Sequence, residues 1–227
     1  VDTDTDNAHC GDCSTACSLG QRCTNGACGC PSSSPDVCGS GPATYCTDRQ
    51  NDPTNCGTCG HVCPAPVNGI AACAAGACLE LTTSCVPGTF DLNGSWVDGC
   101  EFTLDPLAIY VSTTDLMADD ALGCGRGPSK TGPTHHPCRS ITMGILEATR
   151  STRNKVLVAD GRYPEAVTLT SGVSLLGGYR PTTWERHLET TSTELHGVSS
   201  LGAHDHAVLA SGITATTTFP GFVVRGP

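Results

Sequence analysis

This chain of 227 residues contains 17 cysteines, and cysteine is the residue type in it that could take part in the widest range of chemistry. Two C-x2-C pairs, Cys10 with Cys13 and Cys56 with Cys59, have the spacing of structural zinc knuckles. Zinc ribbons place such pairs about 15 to 20 residues apart, and further cysteines would be left over here. Haem attachment requires a histidine directly after the second cysteine, and His61 follows Cys59 one residue too late. Structural disulfides are therefore the favoured interpretation, and zinc is the alternative.

The distribution of the cysteines supports the disulfide interpretation. Fifteen of them lie in residues 1–100, where short segments are unable to build a hydrophobic core and disulfides take its place. Because disulfides form in oxidising compartments, we expect an extracellular or cell-surface protein. We expect the disulfide framework to consist of Cys10, Cys13, Cys17, Cys23, Cys28, Cys30, Cys38, Cys46, Cys56, Cys59, Cys63, Cys73, Cys78, Cys85, Cys100, Cys124 and Cys138.

The first half of the chain contains an internal repeat. An offset of 46 residues superposes the C-x2-C-x3-C pattern that begins at Cys10 on the one that begins at Cys56. A C-x4-C pattern follows in both copies, with four residues inserted before it in the second. Cys46 precedes the second copy by ten residues, and its counterpart would lie immediately before Val1. A closed framework requires an even number of cysteines, so we expect this sequence to be a fragment of a longer chain.

Acidic residues in two short stretches are candidate calcium ligands, because calcium prefers several oxygen ligands from one loop. One stretch has alternating aspartates, and the other surrounds a glycine turn that Cys85 and Cys100 close. Neither has the complete EF-hand loop. The alternative is that these side chains cap the backbone of their own turns in contact with solvent. The candidate ligands are Asp2, Asp4, Asp6, Asp91, Asn93 and Asp98.

The net charge of the chain is −10, with 12 basic and 22 acidic side chains. Nucleic acids and anionic membranes attract basic surfaces, so we expect neither as a partner. No stretch reaches the roughly 18 apolar residues of a spanning helix, and we expect no membrane insertion. We expect no required cofactor, although calcium fits the charge.

The composition changes near residue 104, where cysteine becomes scarce and Thr, Ser and Val increase. Short apolar runs with period-two alternation predict half-buried strands. One segment, 140–150, has helical spacing, with Ile141, Ile145 and Leu146 as candidates for its buried face. Such a helix is suited to covering the open end of a solenoid. A sandwich of antiparallel strands is the alternative. The runs are 108–111, 156–159, 166–170, 173–176, 194–196, 207–210 and 222–224, punctuated by turns such as Asp160-Gly161 and Gly177-Gly178.

Catalytic side chains do not cluster in the sequence of this second half. No nucleophile elbow or phosphate loop is present, and we expect the charged residues to be exposed to solvent. Cys124 and Cys138 flank a loop, and we expect them to pair. The residues of this half whose side chains could serve in catalysis or metal binding are Asp119, Asp120, Lys130, His135, His136, Lys155, Arg162, Glu165, His204, Asp205 and His206.

Two resemblances add to this interpretation. The pattern over 52–63, with Gly76-Ala77-Cys78, resembles the Cys-rich repeats of bacterial surface proteins related to the stigma-specific protein family, and 85–101 looks like the short module that follows them. This resemblance implies an extracellular, modular protein and no activity. Segments 109–112, 137–141, 158–163 and 171–179 look like the opening of secreted right-handed parallel β-helix proteins of the pectate-lyase-like superfamily, and 219–226 looks like a later coil. Active members of that superfamily degrade polysaccharides.

We therefore expect a mainly β protein: small disulfide-rich repeat modules followed by a right-handed parallel β-helix with one short capping helix. The expected divisions are repeat 1 with a connector (1–45), repeat 2 (46–80), a short Cys-closed module (81–104) and the β-helix (105–227). We expect a non-enzymatic structural or adhesive surface or matrix protein, able to assemble into a fibre. Its expected partners are itself, other matrix components or polysaccharide. The alternatives are a polysaccharide lyase or hydrolase with its site elsewhere, and a calcium-dependent carbohydrate-binding module.

Overall fold

The computed structural model describes residues 2–79, 85–95, 97–190, 192–198 and 206–226. The chain forms two compact units. Unit 1 is Val1–Val86 with Ser95–Gly99, and unit 2 is Pro87–Gly94 with Cys100–Pro227. The described residues are mainly β with one α-helix, and the disulfide-rich modules are present, which confirms this part of the prediction.

Unit 1 consists of three short antiparallel hairpins. Two of them turn through Asn25-Gly26 and Ala75-Gly76, where both residues have positive φ, as a type I′ hairpin turn requires. These two hairpins are equivalent in the repeat. The strand pairs are β1 (Arg22–Thr24) with β2 (Ala27–Gly29), β3 (Asp36–Cys38) with β4 (Tyr45–Thr47), and β5 (Cys73–Ala74) with β6 (Ala77–Cys78).

Disulfides hold unit 1 together in place of a large apolar core. Each repeat has two bridges in the same arrangement, and a connector (residues 30–46) has its own bridge and a further bridge to repeat 2. Cys85 and Cys100 are also disulfide-bonded. Cys13 is the free cysteine, and its side chain is exposed. The bridges of unit 1 are Cys10–Cys23, Cys17–Cys28, Cys30–Cys46, Cys38–Cys59, Cys56–Cys73 and Cys63–Cys78.

The two repeats also share a close approach between backbones. A Cβ atom added to Gly11 would lie 2.5 Å from the carbonyl oxygen of Gly26, and one added to Gly57 would lie 2.5 Å from that of Gly76. Both Gly11 and Gly57 have positive φ, which L-residues with a Cβ rarely adopt. The glycines of the repeat are therefore a structural requirement in both copies.

Unit 2 begins with an antiparallel pair and continues with parallel strands. The antiparallel pair joins β7 (Thr89–Phe90) to β8 (Phe102–Thr103), which places the boundary expected near residue 105 inside the unit. The parallel strands are β9 (Ala108–Val111), β10 (Lys155–Ala159), β11 (Gly161–Pro164), β12 (Val167–Leu169), β13 (Ser174–Tyr179), β14 (Thr193–His196), β15 (Val208–Ala210) and β16 (Phe222–Arg225). The one α-helix of the described residues is α1 (Ile141–Arg150).

The parallel strands form three sheets, in the orders β13-β10-β9, β11-β14-β16 and β12-β15. Successive strands from β10 to β15 belong to the first, second and third sheet in turn, and each pairs in parallel with a strand of its own sheet. Inward side chains lie in rows across the strands. Tyr163 and Leu195 are in register with Val224; the first two are almost fully buried, whereas Val224 is 49% exposed. The apolar row is therefore uncovered at β16.

Helix α1 covers one side of this core. Ile141 and Ile145 are buried, as the helical spacing predicts, but Leu146 is 47% exposed because it lies on the solvent side. Gly144 lets the helix approach the sheet, since an added Cβ would lie 2.5 Å from Val111 Cγ2. The Cys124–Cys138 disulfide lies in the same core cluster.

Two sequence features have a different structure from the one expected. Gly177-Gly178 was assigned to a turn but lies within β13, because Gly177 faces a neighbouring backbone: an added Cβ would lie 2.3 Å from the carbonyl oxygen of Gly221. The Asp160-Gly161 turn leads directly into β11, a strand that the apolar pattern did not indicate because Arg162 and Pro164 are exposed.

Candidate functional site

The outward face of the β11-β14-β16 sheet holds the densest group of interacting charged side chains in the described part of unit 2. Glu194 and His196 are alternate residues of β14, so they share a face of the sheet. Arg225, on β16, is in register with His196. His196 Nε2 donates to Glu194 Oε2 at 2.8 Å, and Arg225 Nη2 donates to Glu194 Oε1 at 3.2 Å. Arg162 of β11 is in register with Glu194 and is exposed.

Electrostatics fix the charge state of Glu194. Hydrogen bonds from His196 and then from Arg225 lower the pKa of Glu194 to about 2. The carboxyl group is therefore an anion at any ordinary pH, unsuited to the role of a general acid but able to orient the imidazole and the guanidinium. Burial raises the pKa of a second carboxyl group, that of Asp160. Its neighbour there is the hydroxyl group of Thr193, a side chain on the buried face of β14.

This cluster was missed in the sequence. Arg225 lies far from Glu194 along the chain, and the intervening loops have no common length, so only the pairing of β14 with β16 brings them together. The available signal was the alternation of Glu194 and His196 within one short strand. As a metal site the cluster is poor, since calcium requires several oxygen ligands and the cluster supplies one carboxylate.

The predicted calcium ligands of the N-terminal stretch take part in local turns. Asp2 Oδ1 accepts from the backbone N–H of Asp4 at 2.9 Å, and Asp6 Oδ1 accepts from that of Ala8 at 2.8 Å. Hydrogen bonds lower the pKa of both: the Thr5 hydroxyl is the largest cause for Asp2 and the His9 ring for Asp6. These contacts are those of the capping alternative. A calcium ion at this stretch stays a prediction.

The second predicted calcium group does not lie in one unit. Asp91 and Asn93 belong to unit 2, whereas Asp98 belongs to unit 1. Asp91 Oδ1 accepts from the backbone N–H of Gly94, which again closes a turn. Calcium binding by this group also stays a prediction.

Zinc does not fit the sulfur clusters. Among the described residues, the groups of three potential ligands that lie within 4.8 Å of one another are Cys10, Cys17 and Cys28 in repeat 1 and their equivalents in repeat 2. A zinc ligand must be a thiolate, but these sulfur atoms belong to pairs of adjacent disulfides.

Several charged residues that were expected to be exposed to solvent also have structural partners. Glu165 accepts from the backbone N–H groups of Ile141 and Thr142 at the start of α1. Lys155 Nζ donates to Asp105 Oδ2 at 2.8 Å. Lys130 donates to the carbonyl oxygen of Leu92. These side chains therefore join segments of unit 2.

The remaining candidates do not form a common site. His135 Nδ1 lies 2.8 Å from the Thr131 hydroxyl, whereas His136 faces Asp119 at 3.2 Å. Asp119 also caps the N–H of Ala121, and Asp120 accepts from the N–H of Arg139. His204 and Asp205 lie outside the described residues, while His206 is within them.

A cavity of about 280 Å³ in unit 2 lies beside Lys130. Prolines and a leucine form much of its wall, and Ser129 at its edge donates to Asp115. The Lys130 ammonium group at this cavity already donates to the backbone carbonyl of Leu92. The lining residues are Leu92, Asn93, Asp115, Pro128, Ser129, Lys130, Pro181 and Thr182.

The eight disulfides indicate a protein that folds in an oxidising environment. Within the described ranges, none of the helices has the length and apolar character needed to cross a membrane. No protein-family model, no curated protein and no solved structure matches this chain.

Proposed function

We propose that this protein is a non-enzymatic structural or adhesive component of an extracellular surface or matrix. Unit 1 is its stiff, tension-resistant spacer, and unit 2 presents sheet faces to other components. The observation that supports the proposal is the covalent linkage of repeat 1, the connector and repeat 2, in which Cys38–Cys59 overlaps Cys30–Cys46.

The bridges limit how far unit 1 can extend. The shortest covalent route from Cys10 to Cys78 crosses the bridges Cys10–Cys23, Cys38–Cys59 and Cys63–Cys78. It leaves only about 19 residues of backbone to stretch, compared with about 68 when all bridges are reduced. Such a segment keeps its ends close even after its hydrogen bonds break, which suits a spacer under tension.

Unit 2, in this proposal, is a right-handed parallel β-helix like those of the pectate-lyase-like superfamily, and the modules of unit 1 are of the stigma-specific type. The three sheets of parallel strands, to which successive strands contribute in turn, support the β-helix assignment. The uncovered apolar row at β16, where Val224 is 49% exposed, supports association with another copy, and hence a fibre.

The spacer role is tested by single-molecule pulling on the full chain, with azide-bearing residues in place of His9 and Leu79 as handles. Without reductant, the distance between the handles should not exceed about 90 Å. After complete reduction it should reach about 240 Å. An oxidised limit well above 90 Å would mean that the bridges do not restrain the spacer.

A polysaccharide-active enzyme is the second candidate function, and the Glu194, His196 and Arg225 cluster favours it. Polysaccharide lyases use charged residues on the outward face of parallel strands, in the family that unit 2 resembles. The test is turnover of polygalacturonate with and without calcium. Our first proposal predicts no turnover. Turnover by the full chain that is lost in Glu194→Gln and in Arg225→Gln would establish the enzyme instead.

A further inference from the structure

Cys13 is the free cysteine of a chain in which the other 16 are all disulfide-bonded. It is exposed, and nothing in its own loop pairs with it. Its equivalent in repeat 2, Cys59, is also exposed but forms a disulfide with Cys38 of the connector. The sequence pointed to a counterpart of Cys46 as the missing partner. The equivalence of Cys13 with Cys59 points instead to a counterpart of Cys38, because Cys46 pairs with Cys30 within the connector.

Cys13 and Cys59 are equivalent in the structure as well as in the sequence. In repeat 1 the backbone N–H of Cys10 donates to the carbonyl oxygen of Thr15 at 2.8 Å. In repeat 2 the N–H of Cys56 donates to that of His61 at 2.9 Å. These bonds close the same turn around Cys13 and around Cys59, so both sulfur atoms occupy one position in the repeat.

Three contacts hold the connector against repeat 2 at Cys59. Asp36 accepts from the backbone N–H of Arg49 at 2.9 Å and from its guanidinium at 2.6 Å. Tyr45 donates its hydroxyl proton to Asn55 Oδ1 at 2.8 Å. The third contact is the disulfide itself, with a Cα–Cα distance of 5.5 Å. The connector hairpin thus presents Cys38 to one defined place on a repeat.

We propose that Cys13 is an inter-module attachment site that forms a disulfide with the hairpin cysteine of a connector-type module. Thr3 and His9 replace Arg49 and Asn55 in repeat 1. Thr3 has a backbone N–H equivalent to the one that Arg49 donates to Asp36, but it has no guanidinium group, so that second contact is lost. The disulfide therefore contributes more of the attachment at repeat 1 than it does at repeat 2.

The chemistry is thiol–disulfide exchange with a low-molecular-weight disulfide such as oxidised glutathione. The Cys13 thiolate attacks one sulfur of glutathione disulfide, which forms a mixed disulfide and releases one glutathione thiolate. The thiolate of the connector cysteine then attacks the Cys13 sulfur and releases the second. The two protein thiols are oxidised, glutathione disulfide is reduced to two glutathione molecules, and both protein protons pass to them.

The test places a second copy of residues 29–46 directly ahead of Val1 in the full chain, where it precedes repeat 1 as the natural connector precedes repeat 2. The chain is refolded with reduced and oxidised glutathione, thiols are labelled with a maleimide, and bridges are mapped by mass spectrometry. We expect labelling to fall from one thiol per chain to none, with a bridge between Cys13 and the copied Cys38. Persistent labelling of Cys13, or Cys13–Cys13 dimers of the extended chain, would overturn the proposal.

Two controls keep the result interpretable. Cys13→Ser in the extended chain should leave one labelled thiol, on the copied Cys38; if the copied Cys38 is unlabelled there, it has another partner and the proposal fails. Cys13→Ser in the original chain should leave all eight bridges intact, because this thiol has no partner there. Loss of those bridges would assign Cys13 to folding rather than attachment.

Discussion

Removal of the Glu165 side chain should weaken unit 2 by detaching the start of helix α1. The carboxylate accepts from the backbone N–H of Ile141 at 2.8 Å, from that of Thr142 at 2.9 Å and from the Thr142 hydroxyl at 2.6 Å. These N–H groups belong to the first turn of a helix, where no intrahelical acceptor exists. The anion also lies at the positive end of the helix dipole, which contributes about 0.3 to 1 kcal/mol.

Charge-assisted hydrogen bonds contribute about 1.5 to 3 kcal/mol each, and this half-exposed group lies at the low end of that range. Since water replaces part of what is lost, we expect Glu165→Ala to lower the free energy of unfolding by about 2 kcal/mol. For a unit of this size the midpoint of thermal unfolding should fall by about 8 °C. Circular dichroism of the oxidised chain measures both.

Glu165→Gln is the matched variant, because it keeps one acceptor oxygen and the length of the side chain. It should lose about half as much stability as Glu165→Ala. The Ser140 cap, which accepts from the N–H of Met143 at 3.2 Å, is unchanged in both variants. A loss below about 0.5 kcal/mol for Glu165→Ala, or equal losses for the two, would refute the assigned role of the carboxylate.

The remaining predictions concern the repeat and the charged cluster. Gly11→Ala and Gly57→Ala should each accelerate amide hydrogen exchange in their own repeat, by similar factors. Both glycines have positive φ, and in both the added Cβ would lie 2.5 Å from a carbonyl oxygen. Gly29→Ala is the control, because no atom lies within 4 Å of its added Cβ. Unequal effects would contradict the structural equivalence of the repeats. The pKa of Glu194 is lowered from its ordinary value of 4.5 to about 2. The stability that its contacts with His196 and Arg225 contribute is therefore fully present above pH 4.5 and is lost as the pH falls towards about 2. Carbon-13 NMR of the carboxyl group should show a midpoint near 2 that rises in Arg225→Gln, and a midpoint that this variant leaves unmoved would exclude the ion pair.

Local patterns in the sequence anticipated much of the fold. The Cys spacing identified two copies of one module, since spacing constrains which loops a disulfide can close. Period-two alternation placed β14, and helical spacing placed α1, because these periods report which face is buried. The run at β10 was also found, but this strand is buried on both faces and not half-buried as expected. Gly177-Gly178 was wrongly assigned to a turn, because glycine marks close backbone approach as well as turns.

Long-range relations were beyond the reach of the sequence. The parallel pairing of β14 with β16 creates the Glu194 cluster. The alternation of apolar and polar residues does not show which strands are neighbours. The odd cysteine illustrates the same point. Counting shows that one cysteine lacks a partner, but only the structure shows that it is Cys13, the equivalent of the Cys59 that pairs with Cys38 of the connector.

The overlapping bridges of unit 1 also determine how it would respond to a protease. A single peptide-bond cleavage anywhere between Cys10 and Cys78 is spanned by at least one disulfide, except on either side of Gly29. Gly29 is paired with Arg22 in the β1-β2 hairpin, which the two bridges of repeat 1 flank. A protease requires an extended, unpaired segment, so the one place between Cys10 and Cys78 where a cut would sever the chain is protected by strand pairing. Chains nicked elsewhere in this stretch would stay covalently connected until reduced.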